Sequence, residues 1–399
     1  MELACVDCGA AHPPDMRYSC AACGGILEVR SPQGLAGASP ARGIWRHGAA
    51  LPIGDPAAIV SLGEGDTPLL RADRLAAAID GFEGTLWIKD ETVNPTGSFK
   101  DRAVSVAVSR ARELGLPGIV CASSGNAGAS AAAYAARAGM PCVVVVPERT
   151  PDEKIVQIAG YGATLLRVAG HYSVSYRAGL DLAERRGFAN TTTTYLNPYG
   201  VDGLRTAGFE LADAFAGGAP DWVVVPTGAG PLVKGVVHGF RERAGRSPAI
   251  VAVQAEGCAP IARAFDAGAR TVDAWGPPTT FASGISDPLI GYERDGTHTL
   301  DLVRATGGIA LAVSDDRIRE AMRLLARREG ILAEPTGASS IAAVIHLAAA
   351  GRLAPGARVV AMVTGHGFKD LAVWRGLPAD VRRIADPTEI DGALADVAG

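Results

Sequence analysis

The chain has 399 residues, 48% of them hydrophobic and 20% charged, with a formal net charge of −4. This length and composition imply two or three globular domains with ample core material and exclude a disordered chain. No long basic run invites nucleic acid, and the longest apolar run, "PCVVVVP" at 141–147, is strand length, so no membrane span is expected.

The N-terminus, "MELACVDCGA", has neither the basic start nor the long apolar stretch of a signal peptide, so a cytoplasmic location is expected. Four of the seven cysteines stand as Cys5-x2-Cys8 and Cys20-x2-Cys23. Without an export signal, this pattern reads as a metal site and not as disulfides. Two CxxC knuckles with glycines beside them ("CVDCGA", "CAACGG") suit tetrahedral coordination of zinc by thiolates. Four protein ligands leave no open position, so the metal is expected to be structural. The alternative is a ribbon that folds without metal. Residues 1–30 form this ribbon, and a linker rich in Gly, Pro and Ala, "SPQGLAGASPARG", follows at 31–43. Cys121, Cys142 and Cys258 lie in apolar strand or strand-edge contexts and read as packing residues.

From about residue 85 the signals for strand and helix alternate. "LWIKDE" is expected as a strand, and "SFKDRAVSVAVSRARELG" as a helix with Val104, Ala107 and Val108 on its apolar side. "GIVCAS" is a short strand, "NAGASAAAYAARAG" a helix ending at Gly139, "PCVVVVP" an apolar strand, and "DEKIVQIAGYG" a helix stopped by glycine. The rhythm continues through "WVVVPTG", "AIVAVQAEG", "DDRIREAMRLLARREG" and "RVVAMVTGHG". Apolar strands alternating with helices predict mainly parallel sheets covered on both faces, divided between two α/β domains.

Ligands of open α/β folds bind where strand ends open into helices. Five polar or glycine-rich junctions qualify: "NPTGSFKDR" (94–102), "SSGNAGA" (123–129), "PTGAGPL" (226–232), "EPTGAS" (334–339) and "VTGHG" (363–367). The glycines of "PTGAGPL" free backbone N–H groups for an anion such as phosphate, and the following helix adds its positive end. It lacks the Lys-Ser/Thr ending of a nucleotide P-loop and the spacing of a dinucleotide fingerprint. Many such turns bind nothing, and that reading stays open. "SSGNAGA" offers hydroxyls and N–H groups for a carboxylate, yet ordinary capping by Ser123, Ser124 or Asn126 also explains it. Lys100 is the unusual residue. A helix N-terminus lowers a lysine's pKa and favours the free amine that attacks an aldehyde. Alone, it also reads as an exposed side chain paired with Asp101.

In combination, these pieces resemble the pyridoxal-phosphate enzymes of the tryptophan-synthase-β fold type, and within it the threonine-synthase family. "NPTGSFKDR" resembles that family's lysine motif, "ASSGNAGASAAAYAARAG" its asparagine loop, and "EGIL-AEPTGASS" and "VTGHGFKD" its C-terminal motifs. The four-cysteine ribbon leading into "GEGDTPL" (63–69) is similar to many threonine-synthase-like chains. The resemblance covers nearly the whole chain. It implies that the cofactor sits between a large domain of residues 44–100 with 206–399 and a small domain of residues 101–205. It implies that Lys100 carries the cofactor as a Schiff base and then moves protons on the substrate carbons. Asn126 would bond the phenolic oxygen of the cofactor. Thr227, Gly228, Ala229, Gly230, Pro231 and Leu232 would cradle its phosphate. Thr364 would face its ring nitrogen, and Phe99 would pack beside the ring. Ser123, Ser124 and Gly125 would hold the substrate carboxylate, with Ala127 and Tyr195 on the side-chain side.

The departures bear on substrate. Where the family commonly reads S-T-G-N-T, Ala127 fills the last place. Where it commonly reads N-S-V-N-P-x-R-x-E-G-Q-K-T, this chain has "TTYLNPYGVDGLRT" (193–206), with Tyr195 at the serine place and Gly200 at the arginine place. Ala229 stands at the first Asn place of G-N-A-G-N. In the family these positions surround the leaving phosphate of O-phosphohomoserine, so four donors are replaced, with Arg205 or Lys234 as candidate substitutes. "FASGISDPLIGYERDG" (281–296) also departs and is expected to shape another substrate side. The leading reading is a lyase that removes an α-proton and eliminates or replaces a β- or γ-substituent of a small amino acid. The alternatives are a true threonine synthase and a non-catalytic scaffold. A homo-oligomer is expected, with no nucleic-acid or membrane partner.

Overall fold

A strand that is apolar at every position needs shelter on both faces, and the structure, a computed structural model, supplies it. It describes residues 1–30, 42–170, 172–216, 218–375, 382–390 and 394. Six strands form one sheet in the order Ile309–Val313, Ala249–Ala255, Trp222–Pro226, Arg358–Val363, Thr85–Asp90 and Leu69–Arg71. Every neighbouring pair is parallel except the last, where Leu69–Arg71 runs antiparallel to Thr85–Asp90. A second, fully parallel sheet has the order Thr164–Val168, Cys142–Pro147, Ile119–Ala122 and Ala189–Asn190. The α/β class with mainly parallel sheets is thus as expected.

Side chains that alternate along a strand separate into two cores. Leu86, Ile88, Val224, Val251, Val253, Val359 and Ala361 point to one face of the larger sheet, where helix Pro335–Ala349 packs. Val223, Val225, Ile250, Ala252, Val360 and Met362 point to the other, against helix Pro231–Ala244. Each fully buried Val, Leu or Ile contributes roughly 1.5–3 kcal/mol. Val104, Ala107 and Val108 are buried on helix Lys100–Glu113, as their spacing predicts. Cys121, Cys142 and Cys258 are buried free thiols. Among the described residues, no helix is long and apolar enough to cross a membrane.

The N-terminal segment is a three-stranded antiparallel sheet of Ala11–His12, Glu2–Cys5 and Leu27–Arg30. Its Leu3 and Leu27 share a core with Ile44, Trp45, Val106 and Tyr199. Ile26 packs with Tyr195 and Val201, and Glu28 pairs with Lys234 at 3.1 Å. Most of the expected linker, residues 31–41, lies outside the described residues.

Candidate active site

The turn before Lys100 is built by hydrogen bonds to Asp101. Its carboxylate accepts from Thr96 N at 2.7 Å, Thr96 Oγ1 at 2.6 Å and Ser130 Oγ at 2.6 Å. Asp101 therefore ties the turn to helix Asn126–Ala138 and is not Lys100's partner, which removes the exposed-pair reading. Lys100 is the first residue of its helix, and its Nζ stands 4.6 Å from the centroid of the Phe99 ring. Among the described residues the amine has no hydrogen-bond partner. Burial lowers its pKa to about 8, with the carboxylates of Asp287 and Glu334 acting in the opposite sense.

Strand Ile119–Ala122 delivers the next loop. The hydroxyl of Ser123 accepts from Gly125 N at 3.2 Å, and helix Asn126–Ala138 begins with no side-chain cap. The capping reading of this motif is therefore not what forms, and the helix N-terminus opens toward the cleft. Asn126 instead donates from Nδ2 to Glu334 Oε1 at 2.7 Å. Burial raises the Glu334 pKa, while Lys369 and the Asn126 bond favour its charged form.

Glu334, Thr364 and the lysine turn are laced together. Glu334 N donates to the Gly365 carbonyl at 2.9 Å, and Phe99 N donates to the Thr364 carbonyl at 3.1 Å. A Cβ on Gly365 would lie 2.3 Å from Glu334 Oε1 and 3.1 Å from Asn126 Nδ2, so only glycine fits beneath that bond. The Thr364 hydroxyl is buried and has no partner among the described residues. Such a group invites a polar ligand.

The loop 227–231 connects strand Trp222–Pro226 to helix Pro231–Ala244. Thr299 Oγ1 donates to the Ala229 carbonyl at 2.6 Å, and Tyr195 Oη donates to the Gly230 carbonyl at 3.0 Å. A trans peptide points its N–H opposite its carbonyl, so the Thr299 bond turns the Gly230 N–H the other way. Among the described residues, the N–H groups of Gly228, Ala229 and Gly230 have no partner. Gly230 has φ of 104°, and a Cβ there would lie 2.1 Å from Thr299 Oγ1. This is a cradle suited to an anion.

A cleft of about 880 Å³ gathers Phe99, Lys100, Ser123, Ser124, Gly125, Asn126 and Ala127. Gly228 borders it, since a Cβ there would lie 3.3 Å from Cβ of cleft-lining Asp287. Thr227, Ala229, Gly230, Pro231, Leu232 and Thr364 are not among the residues that line it. Tyr195 does not line it either; it is 2% exposed and supports the cradle loop. Glu334, Asp287, Thr193, Thr194, Ser283 and Lys369 line the cleft as well; each lies in a segment the sequence singles out, but none has an individual role there. Glu334 belongs to the junction "EPTGAS", but only packing shows that it meets Asn126. Arg205 is bonded to Asp202, Glu242 and the Ala50 carbonyl, and Lys234 to Glu28, so neither cation faces the cleft.

Outside the cleft, the Sγ atoms of Cys5, Cys8, Cys20 and Cys23 all lie within 4.8 Å of one another. The Cys5–Cys23, Cys8–Cys20 and Cys8–Cys23 separations are 3.5, 3.7 and 3.4 Å. Sulfurs about 2.3 Å from a tetrahedral ion would stand about 3.8 Å apart, so the cluster can hold a metal. His12 Nε2 lies 3.2 Å from Cys20 Sγ, a neighbour that sequence spacing did not suggest.

The chain is similar to known proteins over most of its length. The family model described as pyridoxal-phosphate dependent enzyme matches residues 60–365. The threonine synthase of Methanocaldococcus jannaschii is 37% identical over 385 residues, covering 92% of each chain. That of Methanosarcina acetivorans is 36% identical over 388 residues, again covering 92% of each. Among solved structures, a T.th. threonine deaminase superposes with a TM-score of 0.64 at 28% identity, covering 75% of this chain and 92% of the other. An O-ureido-L-serine synthase superposes with a TM-score of 0.65 at 26% identity, covering 79% and 94%.

Proposed function

The chain belongs to the family of pyridoxal-phosphate-dependent enzymes, and from that membership we propose a lyase that removes an α-proton and eliminates or replaces a β- or γ-substituent of a small amino acid. The observation that carries this reading is the partnerless Lys100 amine in the same cleft as the uncapped helix start at Ser123–Asn126. The residues present fit the cofactor: a free amine, an anion cradle at 227–231 and an orphaned Thr364 hydroxyl. When bound, pyridoxal phosphate supplies the electron sink that stabilises charge left on the substrate carbon.

Lys100 would hold the cofactor through Nζ, and its amine is the group that would take and return the protons on the substrate carbons. A pKa of about 8 leaves a useful fraction of neutral amine near neutral pH. Ser123, Ser124 and Gly125 hold the substrate carboxylate at the helix N-terminus. Gly228, Ala229 and Gly230 would hold the cofactor phosphate through their N–H groups. The orphaned Thr364 hydroxyl would meet the ring nitrogen, where a hydroxyl in place of a carboxylate would leave that nitrogen largely unprotonated. Asn126, fixed by Glu334, would bond the phenolic oxygen, and Phe99 would flank the ring.

The proposed leaving group is not an anionic phosphate. Ala127 and Ala229 carry no donor, Gly200 no side chain, and the Tyr195 hydroxyl is committed to the Gly230 carbonyl. Arg205 and Lys234, the candidate substitutes for the missing donors, are bound elsewhere, and the cleft-lining Lys369 and Lys154 are engaged by Thr96 and Gln157 and by Asp370. A phosphate dianion would be desolvated there with little return. O-phosphohomoserine is therefore expected to be a poor substrate, measured by release of inorganic phosphate and formation of threonine. Turnover at the roughly 1–1000 per second usual for enzymes would establish the second reading, threonine synthase, which the names of the relatives favour.

We also propose that the four cysteines bind one structural zinc. Metal analysis is expected to find one zinc per chain. Strong chelation is expected to unfold residues 1–30 without removing the cofactor's covalent attachment at Lys100. Protein prepared under reducing conditions with no bound zinc would contradict this.

A further inference from the structure

The segment 281–296 departs from the family text, and the structure brings part of it into the cleft. Ser283, Gly284, Ser286 and Asp287 line the wall. Asp287 is held in place there. Its Oδ1 accepts from Tyr292 Oη at 2.6 Å and from Leu289 N at 3.2 Å. Tyr292 is itself stacked on Tyr176, with ring centroids 4.9 Å apart. Leu289 has a φ of 58°, so the backbone accepts an unfavourable conformation at the turn that presents the carboxylate. Among the described residues, the second oxygen, Oδ2, has no hydrogen-bond partner. A Cβ on Gly228 would be 3.4 Å from it. Asp287 is also one of the charges acting on the Lys100 amine, which places it within electrostatic reach of the reacting centre.

An oriented carboxylate with one unused oxygen is an acceptor. Next to a substrate side chain it attracts a hydroxyl or ammonium and repels an anionic ester. We propose that Asp287 is the specificity-determining residue of the side-chain subsite, and that it selects amino acids whose side chain ends in a hydrogen-bond donor, hydroxyl or ammonium. This rests on the proposed function only in taking the cleft as an amino-acid site. It goes further in naming the group that chooses among amino acids. Burial raises the Asp287 pKa, and the retained Tyr292 and Leu289 bonds keep the carboxylate available as an acceptor.

The test is a binding series on the cofactor-loaded enzyme, read by the change in visible absorption as each amino acid is added. The probes are 2-aminobutyrate, homoserine, 2,4-diaminobutyrate and O-phosphohomoserine. Wild-type enzyme is expected to bind homoserine or diaminobutyrate at least tenfold more tightly than O-phosphohomoserine. Asp287→Asn is expected to weaken diaminobutyrate, and to strengthen O-phosphohomoserine, each by roughly tenfold relative to 2-aminobutyrate. Tyr292→Phe, which frees the carboxylate to turn, is expected to shrink the same preference. Equal loss for all four amino acids in Asp287→Asn would place the residue at the shared α-amino group and overturn the proposal. Tighter binding of O-phosphohomoserine by the wild type would do so without any variant. Exchange of the α-hydrogen of 2-aminobutyrate in deuterated water is measured alongside. Its absence would count against the lyase reading, whereas its presence with an unchanged preference would count against Asp287 alone.

Discussion

Replacing Lys100 by alanine is expected to remove the visible absorption of the covalently held cofactor and to lower turnover by at least roughly a thousandfold. The loss is large because one atom, Nζ, has two duties, attachment and proton transfer. The fold is expected to survive. The amine is buried without a hydrogen-bond partner, and burial already disfavours its charged form. Removing it eliminates a desolvated polar group, so the cofactor-free variant should match the wild type within about 1 kcal/mol or exceed it. Absorption spectra, turnover and chemical denaturation of the cofactor-free proteins check these points together. Retained covalent attachment in Lys100→Ala would move the assignment to another lysine, of which Lys369 is also in the cleft.

Arg102→Ala is expected to act in the reverse way, on stability first. The Arg102 guanidinium is fully buried and bonds Glu91 at 2.8 Å and Glu210 at 2.6 Å. It also reaches Thr206 Oγ1 and Thr67 Oγ1, while Lys89 pairs with Glu210 at 2.6 Å. Truncation leaves two buried carboxylates facing one lysine, a change that typically costs about 3–5 kcal/mol. Lysine is not expected to rescue it, because a single ammonium cannot replace the planar fork that serves both acids. Arg102→Met combined with Glu91→Gln and Glu210→Gln should recover much of the loss, since it removes the stranded charges as well. Urea denaturation measures all three. A loss below about 1 kcal/mol in Arg102→Ala would show that the cluster is solvated on the unfolding timescale or relaxes without it.

The parts legible in the sequence are those whose physics is local. Helix Lys100–Glu113 follows from apolar spacing, strand Cys142–Pro147 from an unbroken apolar run, and Gly139 from the left-handed conformation at a helix end. The lysine turn, the 123–126 loop and the cradle loop are contiguous motifs, and the structure places Lys100, Ser123, Ser124, Gly125 and Asn126 in one cleft. What remained hidden depends on partners far along the chain. The Asn126–Glu334 bond spans 208 residues, and Tyr195 to Gly230 spans 35. The motif position of Tyr195 points to the substrate side. Its hydroxyl, however, turns toward the cradle loop, and no periodicity encodes that direction. Likewise the segment 281–296 is visibly unusual as text, but only packing shows that Asp287 faces the cleft.

The order of strands in the larger sheet also sets a schedule for synthesis. Strand Thr85–Asp90 is flanked by Leu69–Arg71 on one side and by Arg358–Val363 on the other. Its second neighbour is made last, whereas all four strands of the smaller sheet come from the single stretch 119–190. The smaller sheet can therefore form on the nascent chain while the Lys100 turn still lacks its Thr364 support. The ribbon waits as well. Glu28 and Lys234 are 206 residues apart, an interval of roughly 10–40 s at ordinary rates of translation. During that interval the four N-terminal thiols have left the ribosome but lack the protein surface they will rest on. An ion captured early would hold them in register and keep them from oxidising until the rest of the chain arrives.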